Sequence, residues 1–569
     1  MNPTNTDNEP MDAVLQGNNP KLQTVKYTNH LPEGKLGNYS QNERVDFKPD
    51  PSTSPYFDGK QSYLHIKVSN SSTWTTNAAA DVSPPLCFPA HVGANALINR
   101  CVVRAVGNSQ VIEDIEAYNQ ISGIKNSYSH DSDVFKTLSR ISGVAGRTPC
   151  GANQTIGDLS TNYFLPNGVE TGTRDLTGGT EDVSATFCVP IESGLFSAFN
   201  DEHHVVPNLD IPLHLQFFLE KSDIALQALW SNFIITSTVN GTAVVHRNAM
   251  NPFEDHTCTV AGNVVTLDTT TVCDTSLVFE GNRFTAKDCA FRIGFPLELE
   301  GGQILQITNV EVDQGGGDEI AITLDNAPVN QGATTCKLPA CNRSYNISKI
   351  ELKTLLTIPD QPTMRMIRSQ IQKGISFTSL QLYKASTAEG LRNAVIEIPE
   401  ALTRAKSIVA LPCAQNNLES LDLNNSYIFP QPDSLVGTND NNTTYQYQIQ
   451  NTLLPNLAVA TNSATNNQND NSIYFNQVVM ALRHLIKVSA LSDNQQCRKV
   501  QDIDIELPFM YPLSLSPRGM SFNIIDSAPQ LRINNTSTTP ANILAKLYHI
   551  HVVHTRVLKA TDMGASISF

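Results

Sequence analysis

Charged side chains are scarce in this chain: Asp, Glu, Lys and Arg make up 16% of its 569 residues, where about 25% is usual for soluble domains. Asn, Ser, Thr and Gln stand in their place. The centres of buried interfaces are depleted in charge, so a chain this polar yet this neutral fits extensive contact with other subunits. Positive charge is the scarcer sign. A net charge of −15 with pI near 5.3 argues against binding a phosphate backbone, which needs Lys and Arg to displace counterions. No basic tail changes this, because residues 1–60 hold eight acidic and six basic side chains, interleaved.

Long apolar runs are missing too. No stretch of about 18 apolar residues occurs, so no membrane span is expected. The opening MNPTNTDNEPMDAVLQGNN is acidic and has no apolar centre, which predicts no secretory signal. Aromatics are 7% of the chain and Trp only two, which weakens a sugar-binding cleft as the reading. The eleven cysteines are an odd number without repeating spacing, as expected of reduced, buried thiols made in a reducing compartment. The Asn-x-Ser/Thr triplets at Asn38, Asn240 and Asn346 are then products of an Asn-rich composition.

What the chain does have is alternation. Ile211, Leu213, Leu215, Phe217 and Leu219 fall on every second position, a strand with one buried face. Ahead of it, Val189, Pro190 and Ile191 with the Ser193–Gly194 turn read as a short strand and its end. The same order returns near the C-terminus: MYPLSL, a turn at Pro517–Arg518–Gly519, then Leu531 and Ile533 alternating. The following strands also match, Tyr345, Ile347, Ile350 and Leu352 sitting as Tyr548, Ile550 and Val552 do. Such self-similarity predicts two β domains of one type in tandem, the first enlarged by a segment at about 222–343.

Residues 1–60, rich in Pro, Asn and Gly, read as an extended arm. The first domain is expected over 61–358, beginning with the alternation of Leu64, Ile66 and Val68, and a connector over 359–373 leads to the second over 374–569. Ile112, Ile115, Tyr118 and Ile121 suggest a short helix, as do Val134, Leu138 and Ile141 with Ser132 as N-cap. Thr148–Asp182 reads as a long loop. In the second domain, Tyr445, Tyr447 and Ile449 share a strand face, and Phe475, Val478, Val479, Leu482, Leu485 and Ile486 mark a helix after Ser472. Inside the inserted segment, Ile304, Ile307, Val310 and Val312, then Ile320, Ile322 and Leu324, predict a hairpin. An insertion of that length projects from one end of a scaffold.

Few residues suggest chemistry. Asp201–Glu202–His203–His204 has ligand types, yet adjacent residues do not converge on one metal, and a solvated loop accounts for them. His549, His551 and His554 lie on the last strand, the first two on one face, as polar filler or as a pH-sensitive set. Cys336 and Cys341 with Cys258, Cys273 and Cys289 match no zinc-finger spacing and read as buried thiols. Gly315–Gly317 is followed by Asp318 where a phosphate loop needs Lys and Ser/Thr. Glu298 and Glu300 share a face without a partner. No catalytic, cofactor-binding or metal-ligating residue is assigned, and no cofactor is expected.

The succession SPYFDGKQSYLHIKV, INRCVVRAVGNSQVIEDIEAYNQISGI, VPIESGLFSAFN with VPNLDIPLHLQFFLE, and YNISKIELKTLLTI resembles the first half of double jelly-roll major capsid proteins, especially those of polinton-like viruses, adintoviruses and virophages. YQYQIQNTLLPNLAVA, the helix after Ser472 and YHIHVVHTRV are similar to their second half. IEDIEAYN and PIESGLFS are the most specific stretches, and the likeness runs over about 55–569. It implies an all-β chain of two tandem eight-stranded jelly-roll sandwiches with a few short helices and a β-rich insertion in the first roll. Three such chains would close into a pseudo-hexameric capsomer of an icosahedral shell around double-stranded DNA, not an enzyme. The implied partners are the chain itself, a single jelly-roll penton protein and minor capsid proteins, without sequence-specific nucleic acid, in the virion. The insertion would be the outward tower. The alternative is a carbohydrate-binding or carbohydrate-active β-sandwich protein.

Overall fold

The computed structural model describes residues 24–569 apart from 77–83, 85, 90–91, 130–140, 145–184, 200–204, 229–230, 240–241, 251, 268–290, 292, 313–319, 400–403, 415–442, 461–470, 487–509, 516–527, 536–544, 562–563 and 569. In chain order the first strands are β1 (Thr24–His30), β2 (Arg44–Phe47), β3 (Phe57–Asn70), the two-residue β4 (Thr73–Trp74) and β5 (Leu86–Cys87), β6 (Ile98–Ala105) and β7 (Val111–Glu116). Helix α1 (Tyr118–Ser129) follows, then β8 (Ala185–Pro190), the short β9 (Val205–Val206) and β10 (Leu213–Leu219).

The chain next leaves the sandwich through a short helix, α2 (Ser222–Ala225), then β11 (Gln227–Ala228), which pairs with β5, and β12 (Ser231–Val239). It continues with β13 (Thr242–Met250), β14 (His256–Ala261), β15 (Val264–Leu267), β16 (Pro296–Leu299), β17 (Gln303–Val312), β18 (Ile320–Leu324), β19 (Gly332–Lys337) and β20 (Cys341–Asn342), and returns as β21 (Tyr345–Ile358). The first sandwich pairs a sheet in the order β1-β21-β3-β8, with β9 beside β3, against a sheet in the order β2-β10-β6-β7.

After helix α3 (Gln361–Lys373) come β22 (Ile375–Thr387), β23 (Asn393–Glu397), β24 (Ala405–Ala414), β25 (Thr443–Ile449) and β26 (Thr452–Ala460). Helix α4 (Asn471–Leu482) precedes β27 (Tyr511–Ser514), β28 (Gln530–Asn535), β29 (Lys546–Thr561) and β30 (Gly564–Ser568). The sheets are β22-β29-β24-β27, with β30 beside β29, and β23-β28-β25-β26. Taken first to last along the chain, the main strands occupy the same places in both sandwiches. Each is a jelly roll: successive main strands alternate between the sheets except at the β6–β7 and β25–β26 pairs, and the last strand returns beside the first. The repeat seen in the sequence falls on β8 and β27, β10 and β28, and β21 and β29; the Pro517–Gly519 turn lies outside the described residues.

The alternation has its expected cause. In β10, Leu213, Leu215, Phe217 and Leu219 are buried, and Phe217 meets Phe47 of β2 edge-on at 6.1 Å between ring centroids. In β25, Tyr445 and Tyr447 cross to the opposite sheet, where their hydroxyls donate to the carbonyls of Pro512 (2.9 Å) and Tyr511 (2.8 Å). A buried phenol keeps its apolar body in the core only if its oxygen finds such a partner. One continuous core runs through both sandwiches.

Two expectations are corrected. Residues 1–60 are not an arm throughout. Thr24–His30 pairs antiparallel with Thr354–Ile358 and its neighbours in β21, and Arg44–Phe47 pairs with β10. Both are short edge strands, and β1 leaves Lys26, Tyr27 and Asn29 exposed, so their pattern carries little apolar signal. The proposed helix over Ile112–Ile121 begins only at Tyr118. Val111–Glu116 is β7, paired with β6 through a register shift, and both of its faces are covered. The suggested helix around Val134–Ile141 and the loop Thr148–Asp182 lie essentially outside the described residues.

The connector 359–373 is helical from Gln361. Asp360 caps it, accepting from Thr363 N at 3.0 Å, and Pro362 sits in the first turn where no N–H is missed.

The insertion contains a closed barrel in the order β14-β15-β18-β17-β16-β19, and β17 with β18 form the predicted hairpin. Its core is its own: Val260, Val265, Phe295, Leu297, Ile307, Ile320, Ile322 and Leu324 pack together with Trp74 at its root. The separate cores make a prediction. Phe217→Ala should cost the sandwiches about 3–5 kcal/mol, whereas Leu297→Ala should cost about 2–5 kcal/mol felt in the barrel alone. Scanning calorimetry should therefore show L297A shifting a barrel transition and leaving the sandwich transition in place; F217A should do the reverse.

Candidate functional site at the seam between the sandwiches

The stretches IEDIEAYN and PIESGLFS meet at one place. Glu113 of β7 is fully buried, and its carboxylate accepts from Ser193 Oγ, Gly194 N (3.0 Å) and Leu195 N (3.3 Å). Burial pushes its pKa up, partly opposed by these donors and by the nearby Arg556 guanidinium. The turn it holds is pressed against the second sandwich. A Cβ built on Gly194 would lie 1.7 Å from the Thr378 carbonyl oxygen of β22, so only glycine lets the two backbones approach this closely.

From the other side, β29 supplies the polar partners. Arg556 donates from Nη1 to the Ile112 carbonyl (2.8 Å), from Nε to His554 Nε2 (3.0 Å) and from Nη2 to Gln381 Oε1 (3.3 Å). Its contact with Ile112 reaches across the seam. His549 Nδ1 lies 2.6 Å from Gln120 Oε1 of α1, and Gln120 Nε2 donates to Cys413 Sγ at 3.4 Å. At the rim, Lys384 pairs with Glu116 (3.5 Å), and Asn108 Nδ2 donates to the Ala565 carbonyl (2.6 Å). Rim pairs of this kind add little energy. The buried contacts are costly to break, because each leaves an unpaired polar group.

The histidines on the last strand are thus not solvated filler. His549, His551 and His554 are all buried, facing the first sandwich or the groups that line the seam. Burial pulls His549 and His551 down to about 3, with Lys384 adding to both, and His554 to about 4, with Arg556 adding. For His554 the geometry gives the reason. Its Nε2 already accepts from Arg556, while Nδ1 faces the Val552 carbonyl at 3.3 Å, so a second proton would point at a guanidinium. Neither ring nitrogen of His551 has a hydrogen-bond partner among the described residues.

Other candidates separate. Cys258 and Cys336 come together inside the barrel, where their contact lowers the Cys258 pKa and raises that of Cys336. Cys341 sits apart on β20 beside Trp74. No group of three or more His, Cys, Asp or Glu capable of holding a metal occurs among the described residues. Glu300 accepts from Thr334 Oγ1 at 3.1 Å on an exposed edge, and Glu298 lies opposite Lys337 in the register. Asp201–His204, Cys273, Cys289 and Gly315–Asp318 lie outside the described residues. No described helix is long and apolar enough to cross a membrane.

The seam sets a pH dependence whose sign follows directly. A histidine held near 3 or 4 in the fold but near 6.5 when unfolded takes up protons on unfolding. Its contribution is therefore intact above pH 6.5 and is lost as pH falls toward the folded value, by up to ~1.4 kcal/mol per pH unit for each residue. Glu113 and Glu220, both shifted upward by burial, act oppositely. The melting temperature should fall between pH 6.5 and 4, and His549→Gln with His551→Gln should flatten that fall; thermal scans across pH 4–8 read both. Gly194→Ala should part the seam and lower the melting temperature at every pH, since no side chain can yield where the obstacle is backbone.

No family model matches the chain, and no curated protein sequence does. Among solved structures it is similar to the Faustovirus major capsid protein, at 8% identity and TM-score 0.48 over 95% of this chain and 90% of that one. It is similar to the Sputnik virophage structure solved by cryo-EM, at 11% identity and TM-score 0.46 over 96% and 89%. The mavirus major capsid protein aligns at 9% identity and TM-score 0.37 over 95% and 90%. At these identities the jelly-roll assignment rests on the strand order and registers of the chain itself.

Proposed function

We propose that this chain is a major capsid protein whose trimers form pseudo-hexameric capsomers and assemble into an icosahedral shell around a double-stranded DNA genome. The observation that carries the reading is the pair of sandwiches with one strand order, fixed side by side through a desolvated polar seam. A tandem unit of this kind gives six similar sandwiches from three chains, enough to tile a near-hexagonal plate with one repeated set of contacts. The scarcity of charge fits a surface that is largely covered on assembly. The acidic balance fits a container that encloses DNA without gripping its phosphates.

The barrel stands on the connection between β10 and β21, rooted beside β3 by the β4–β20 pair. A closed barrel exposes no strand edge for stray pairing, which suits a tower facing outward. The chain ahead of β1 would run along the inner side and tie neighbouring plates. Its place would be the virion, beside a penton protein and minor capsid proteins.

Native mass spectrometry of the purified full-length chain tests this. A trimer with a protease-resistant core is expected; a stable monomer that binds or hydrolyses glycans would overturn it.

A further inference from the structure

The core of the barrel contains a pair of thiols that packing alone does not use. Cys258 of β14 and Cys336 of β19 are 2% and 1% exposed, lie on neighbouring antiparallel strands and are both free. In the register Cys258 stands opposite Thr334 and Cys336 opposite His256, so the two cysteines are diagonal neighbours. A diagonal is longer than a direct pair in a flat sheet. The tilt and twist of the strands in this small closed barrel draw the diagonal together, and the Cys336 thiol donates to the Cys258 sulfur. Among the described residues no other two cysteines meet.

We propose that Cys258 and Cys336 are a peroxide-reactive dithiol that closes a disulfide between the first and last strands of the barrel. Cys258 is the attacking sulfur, because the S–H donated by Cys336 favours its thiolate; the same contact, with burial, keeps the proton on Cys336. The Cys258 thiolate attacks one oxygen of hydrogen peroxide, the O–O bond breaks, and the departing hydroxide takes the proton lost by Cys258 to become water. Cys258 is left as a sulfenic acid. The Cys336 sulfur then attacks the Cys258 sulfur, the S–O bond breaks, and the oxygen leaves as a second water with the Cys336 proton. Two thiols lose two electrons in all, and one peroxide becomes two waters. An oxidant this small and uncharged suits sulfurs this buried, whereas a bulky disulfide oxidant has no room beside them.

The strand pairing lets the sulfurs move from contact to bond. β19 is held to β14 over five register pairs but to β16 over only two, Glu298 with Lys337 and Leu299 with Cys336. It can therefore follow Cys336 toward Cys258, at the cost of the weaker pairing. The chain enters the barrel on β14 and leaves it on β19, so the bond encloses residues 258–336 and every other strand of the barrel. A loop of that length strongly restricts the unfolded barrel and leaves the sandwich core untouched. The pair is open in a reducing cell and locks the barrel in oxidising surroundings. That this stiffens an outward tower after a particle leaves the cell rests on the shell reading above; the bond itself does not.

The test treats the folded full-length wild type with hydrogen peroxide, blocks the remaining thiols with N-ethylmaleimide after denaturation, and maps the peptides by mass spectrometry. A Cys258–Cys336 cross-linked peptide that dithiothreitol reverses is expected. Scanning calorimetry should show the barrel transition raised by at least ~10 °C with the sandwich transition in place. In Cys336→Ser, dimedone should label Cys258 as its sulfenic acid; in Cys258→Ser, Cys336 should remain an unlabelled thiol. If either variant fails to fold, the wild-type map decides alone. Both cysteines alkylated in a peroxide-treated chain that circular dichroism shows to be folded would overturn the proposal. So would sulfinic acid at Cys258 without a bond, or either cysteine bonded elsewhere. Native mass spectrometry of the same sample scores the shell reading separately. A bond in a chain that stays monomeric keeps the dithiol and removes the shell; trimers without the bond do the reverse.

Discussion

A jelly roll has an inner face for its core and an outer face for water, and here one outer face has been taken out of water. The strands β22, β29 and β24 turn their outward side chains toward the first sandwich, so every polar group there must be neutral or fully paired. Much of the chemistry of the seam follows. Arg556 spends its donors on a carbonyl, an imidazole and an amide. Glu113 is held by a hydroxyl and two backbone N–H groups. Gln120 and Gln381 carry the remaining contacts as neutral amides.

The repeat is therefore one of topology and not of outer-face composition. β21 and β29 return to equivalent places, with Tyr345, Ile347, Ile350 and Leu352 facing one core and Tyr548, Ile550 and Val552 the other. Outward, β21 presents Lys349, Glu351 and Lys353, a cluster still partly in water, while β29 presents His549 and His551. Inner faces obey the same packing demand in both copies; outer faces obey their neighbours. That is why self-similarity was detectable along the apolar positions and faint between them.

The same division governs what could be read in advance. Strands with one dry face announce themselves by alternation, as in Leu64–Val68, Ile211–Leu219 and Tyr445–Ile449. Elements covered on both sides do not: β7 buries Ile112, Glu113 and Ile115, a spacing that imitates a helical stripe. Edge strands do not either, since TVKYTNH and RVDF have little to bury. The histidines of β29 were visible as residues but not as a seam, because nothing local in YHIHVVHTRV says that a second sandwich lies over it. Gly194 carried a usable hint, in that a glycine between Ser193 and Leu195 just after a strand suits a close backbone approach. What it approaches, Thr378, is remote in the chain and left no trace in spacing.

Burial of an outer face in one sandwich and its exposure in the other also constrains how copies can meet. Sheets left with open edges invite hydrogen-bonded addition, which has no natural stopping point. The barrel avoids this by closing, and β26 by carrying Pro455 within an exposed edge. What remains available at β26 and α4 is side-chain surface: Leu453, Leu457 and Ile473, apolar, uncharged and of limited extent. Such contacts are weak singly and directional only through shape, so they discriminate by the whole edge at once. An assembly built from many of them can correct a misplaced unit, because one wrong contact holds it loosely, whereas a mispaired strand would hold it fast.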